Sequence, residues 1–91
     1  MRGMRPEERA QRAGRLTRED VEHLSLTMER TAEVLEASAA LADEHAERLE
    51  RAGRSDDAAK ELRSAARARE GAERARSLAK EWLRSAGDQQ E

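Results

Sequence analysis

Alanine returns at every seventh residue through the second half of this chain, at Ala58, Ala65, Ala72, Ala79 and Ala86. Seven residues make about two helical turns, so these side chains line one side of a helix. A small-residue stripe of that length suits a helix that lies very close to another helix. The first half carries a matching repeat. Val21, Met28, Leu35, Ala42 and Leu49 recur every seven, with Leu24, Thr31, Ser38 and His45 at the paired position. Beside them runs a small-residue stripe, Ser25, Ala32, Ala39 and Ala46, and a further stripe is wholly acidic: Glu22, Glu29, Glu36, Asp43 and Glu50. Sustained heptads of this kind indicate coiled-coil packing.

Composition removes the alternatives. Two Val, no Ile and a single aromatic residue leave too little β-forming material for a sheet. The longest uncharged run is the six residues from Ala37 to Ala42, too short for a membrane span or a signal-peptide core, so a cytoplasmic location is expected. The absence of cysteine removes disulfides and thiolate metal sites. Charged residues make up 42% of the chain, and sixteen Arg against two Lys, among many Ala, suggest the codon usage of a GC-rich bacterium.

The helix boundaries are marked locally. Thr17 and Asp20 have the spacing of a capping box, and Glu19, Asp20 and Glu22 suit the positive end of a helix dipole. Arg48, Arg51 and Gly53 suit a C-terminus near residue 51. Ser55 is expected to cap a second helix with Asp56 and Asp57 in its first turn. The expected organisation is an Arg-rich arm over 1–16, a hairpin over 17–87 with helices at about 18–51 and 56–86, and a polar tail over 88–91. Gly71 falls mid-helix at a cost of about 1 kcal/mol relative to Ala and is read as tolerated.

Folding back at Gly53–Arg54 sets Leu49 against Ala58, Ala42 against Ala65, Leu35 against Ala72, Met28 against Ala79 and Val21 against Ala86. The paired stripe then sets Leu24 against Leu83, His45 against Leu62, Thr31 against Arg76 and Ser38 against Arg69. Net charge is −6 over residues 18–51 and +2 over 55–86, which favours the pairing. The expected fold is all-α: an antiparallel two-helix hairpin resembling the alanine coil, dimerising into a four-helix bundle because alanine seams bury little area. Its length and shape are similar to the secreted hairpins of the WXG family. The Trp-x-Gly turn of that family is replaced here by R-A-G-R-S-D-D, so no functional residue carries over.

Functional expectations follow from what remains exposed. Leu26, Val34, Leu41, Leu78 and Trp82 are the candidate partner-binding residues of a non-catalytic interaction module that meets itself or another protein. An alternative is a small nucleic-acid-binding regulator. Arg2, Arg5, Arg9, Arg12 and Arg15 recur at steps of three or four and can neutralise phosphates. A less favoured alternative is a metal site through the D-x-x-H of Asp20 and His23. No catalytic residue, cofactor or membrane partner is expected, because no nucleophile–base set and no phosphate loop is present.

Overall fold

The computed structural model of the chain describes residues 17–88, and its two helices, α1 (Arg18–Arg51) and α2 (Ser55–Asp88), pack on each other as a hairpin. The start of α1 is fixed by the capping box. The Thr17 hydroxyl accepts from the Asp20 amide at 3.0 Å, and the Asp20 carboxylate accepts from the Thr17 amide at 3.2 Å. Two amides that a helix start leaves unpaired are thereby satisfied.

The connection takes three residues. Gly53 has φ 76°, its amide donates to the Glu50 carbonyl at 3.0 Å, and the Arg54 amide donates to the Leu49 carbonyl at 2.8 Å. These are the two bonds of a Schellman ending, and the left-handed position costs glycine nothing. Ser55 differs from expectation. It is the first residue of α2 rather than its cap, and the first intrahelical bond runs from the Ala58 amide to the Arg54 carbonyl at 3.0 Å. The Ser55 hydroxyl instead donates back to the Glu50 carboxylate at 3.3 Å. Arg54, whose carbonyl accepts that first bond, takes the cap position, and its guanidinium is held by Asp57 at 2.7 Å.

The core is a thin strip of small side chains. Ala32, Ala39, Ala46, Ala58, Ala65, Ala72 and Ala79 are all buried to 2% exposure or less, and no large side chain is fully buried. Ala32 clusters with Ala72 and Ala75, and Ala46 clusters with Leu49 and Ala58. The expected Leu49–Ala58 contact is present, and Met28 and Leu35 lie half-buried against the Ala32–Ala72 cluster.

The expected second stripe needs correction on both helices. Thr31, Ser38 and His45 of α1 are exposed, as are Leu62, Arg69 and Leu83 of α2. The positions that close the seam are Ser25, Ala32, Ala39 and Ala46 on α1, and Ala75 with half-buried Ala68 and Trp82 on α2. The physical reason is close approach. Small side chains on both helices let the backbones draw together, whereas the expected arrangement would have put two arginines in the seam. Ser25, 3% exposed, shows how near the helices come: its hydroxyl donates to the Ala79 carbonyl of α2 at 3.2 Å. Gly71 sits inside an unbroken α2. A Cβ placed there would lie 3.2 Å from Leu35 Cδ1, so the missing side chain makes room for leucine.

Candidate interaction surface

With the seam fixed, the outer positions sort into two sides. On one side the acidic stripe of α1 runs along the edge of the seam beside Arg69 and Arg76 of α2. Glu36 binds Arg76 through both carboxylate oxygens, with the second contact at 2.8 Å, and Asp43 binds Arg69. The hydrogen bond from Arg76 holds the Glu36 carboxyl below the usual carboxylate range, and the hydrogen bond from Arg69 does the same for Asp43. Desolvation works against both shifts, and the charge of the arginines adds to them. The arginines are held further into their charged form by the same bonds. Glu33 and Glu47 lie on this side as well, by their helical spacing from Glu29, Glu36, Asp43 and Glu50.

The opposite edge carries little charge next to the seam, and Arg48, Lys60, Arg67, Arg74 and Glu81 lie in the rows outside it. Helical spacing from the seam places Leu24, Thr27, Thr31, Val34, Ser38, Leu41 and His45 along α1 on that side. Gly71, Leu78 and Trp82 occupy the corresponding positions of α2. Two of the polar letters in this stripe are less polar than they read. The Thr27 hydroxyl donates to the His23 carbonyl at 3.0 Å, and the Thr31 hydroxyl donates to the Thr27 carbonyl at 2.9 Å. Both hydroxyl protons are thus spent on the helix's own backbone. An open, mostly apolar depression lined by Thr27, Arg30, Thr31, Val34 and Leu35 lies on this stripe. Val34 and Leu41 are each 65% exposed, the barest large apolar side chains among the described residues.

Four of the five candidate contact residues are therefore brought to one side of the hairpin: Val34 and Leu41 from α1, Leu78 and Trp82 from α2. Leu26 is separated from them. It lies among Glu22, Glu29 and Glu33 on the charged side, where it is 45% exposed. Leu62 and Leu83, exposed on the same charged side, did not stand out in the sequence because a seam role was expected of them.

The remaining candidates separate from this surface. Asp20 is committed to capping α1, and His23 is exposed. Among the described residues no group of three or more His, Cys, Asp or Glu is placed to hold a metal ion. His45 lies 3.5 Å from Glu61 across the seam edge. Arg2, Arg5, Arg9, Arg12 and Arg15 lie outside the described residues. No described helix is long and apolar enough to cross a membrane. The chain matches no family model, no curated protein and no solved structure, so its own geometry carries the functional argument.

Proposed function

We propose that this protein is a non-catalytic interaction module, an adaptor or assembly protein, that works through the uncharged side of its hairpin and self-associates there into a four-helix bundle. The observation that carries the reading is the sorting of charge. Carboxylates and arginines crowd one edge of the seam, while the other edge presents Val34, Leu41, Leu78 and Trp82, with Arg48 near the turn and the charged residues of α2 in the row outside Leu78. Apolar side chains grouped on one side mark a docking surface, whereas scattered ones need no explanation. The thin seam supports the same reading. Each buried Ala contributes on the order of one methyl group of burial, about 0.8 kcal/mol, so a lone pair of helices is sparsely stabilised. A second layer of helices also covers the half-exposed flanks of Met28, Leu35 and Trp82.

Light scattering on purified protein tests this. The expected mass is twice that of the chain, and Val34→Glu or Leu41→Glu should return it to the monomer. Leu62→Glu and Leu83→Glu, on the charged side, should leave the mass unchanged. A wild-type protein that stays monomeric at high concentration would overturn self-association.

A further inference from the structure

We infer that the second copy sits on the uncharged side with its turn at the opposite end, so that α1 packs on α1 and α2 packs on α2. The inference rests on the self-association proposed above and specifies its geometry. Two two-fold arrangements keep all neighbouring helices antiparallel. In one, both turns lie at the same end and α1 covers the other copy's α2. In the other, the turns lie at opposite ends and like helices meet.

Side-chain chemistry separates them. With the turns together, the outer rows oppose Val34 to Arg74, Leu41 to Arg67 and Arg48 to Lys60. Both exposed aliphatic side chains would then bury against arginines, and two cations would face each other. Only Thr27 with Glu81 is compatible. Arg67, Arg74 and Lys60 are exposed, and none of them makes a close ion pair among the described residues. Such a pairing gives neither aliphatic side chain an apolar partner and sets charged groups against both.

With the turns apart, the two-fold axis passes near Ser38 on α1 and Gly71 on α2, which lie within about one turn of each other along the hairpin. Val34 of each copy then meets Leu41 of the other. At the same register half-buried Leu35 meets half-buried Ala42, and Thr31 meets His45. On α2, Leu78 meets Ser64 and the two Gly71 residues approach each other, so a large residue faces a small one again. In the outer row Lys60 meets Glu81. Arg67 meets Arg74 twice in that outer row, as Arg48 meets Lys60 twice in the other arrangement, so the two are separated by the partners of Val34, Leu41 and Lys60. A single register thus pairs Val34 with Leu41 on α1 and Lys60 with Glu81 on α2.

The natural sequence has no cysteine, so one introduced thiol is a unique label. Ala52 in the turn is exposed and suits a spin label. Ala52→Cys should give a label separation of roughly 40 Å in the dimer, set by the 1.5 Å rise along α1 from the axis. Turns at the same end would put the labels within about 20 Å, two neighbouring helix spacings, and would overturn the inference while leaving the dimer intact. Ser38→Cys gives an independent reading. It should cross-link to itself under mild oxidation, because the residue lies at the axis. Failure of Ser38→Cys to cross-link in a protein of dimeric mass would also overturn the inference. A monomeric mass would instead overturn the reading on which it rests.

Discussion

The two sides of the hairpin share one alanine seam and differ in nearly everything beside it. On the charged side, Glu36 with Arg76 and Asp43 with Arg69 tie α1 to α2 across the seam edge. These pairs are well exposed, so their worth in stability is small. Their use is alignment: sliding one helix by a turn separates both pairs at once. A row of carboxylates also keeps that side in water. On the uncharged side the cross-helix contact is His45 with Glu61 near the turn, and Val34 and Leu41 stand in solvent. One side therefore sets how the two helices pack within the hairpin, and the other leaves Val34 and Leu41 in solvent.

The sharpest way to break both sides together is to spread the seam they share. Ala32 has no exposed surface, and Ala32→Leu should cost about 1–3 kcal/mol or more by overpacking, read as a drop in the thermal midpoint by circular dichroism. Ala40→Leu, at an exposed position, should leave the midpoint nearly unchanged. Equal effects would mean the helices are not held at alanine distance.

A smaller effect tests the charged side alone. The Glu36 carboxyl is depressed in the folded protein, so its pairing stabilises the fold above the unfolded carboxylate range, near pH 4 to 5. That contribution fades as pH falls through the depressed folded value. Glu36→Gln should therefore melt below the wild type at pH 7 and together with it at pH 2. A difference that persists undiminished in acid would mean the pair is not what Glu36 contributes.

The smallest effect lies on the uncharged side. Gly71→Ala gains up to about 1 kcal/mol of helix propensity. The added methyl group meets Leu35 Cδ1 at 3.2 Å, the mobile end of a half-buried side chain that can yield by a few tenths of an ångström. A net gain of less than about 1 kcal/mol is expected in denaturant titration. Destabilisation would show that Leu35 has no room to move.

Much of the hairpin was legible because its signals are local. Thr17 and Asp20 announce a capping box, Gly53 announces a left-handed ending, and five alanines at heptad spacing announce the buried side of α2. The buried side of α1 was harder. The stripe of Met28 and Leu35 is flanked on both sides by uncharged rows, one holding Leu24 and the other holding Ser25, Ala32, Ala39 and Ala46. Apolarity alone favours the row with leucine. The deciding signal was charge: the acidic stripe adjoins the alanine row, and Arg69 with Arg76 sit where they can meet it. Taking Leu24 and His45 for seam residues also hid the continuity of the uncharged strip from Leu24 to His45, and let Leu26 be grouped with Val34.

By itself the sequence determined two long helices, the place where the chain turns, and a seam lined by alanine, because caps, glycine and heptad spacing act over a few residues. Which row of α1 enters that seam was decided only in three dimensions. The choice depends on how near two backbones can come, and that distance is a property of both helices together. The sorting of exposed residues between the two sides follows from the same choice, since turning α1 by one row exchanges what is buried for what is exposed.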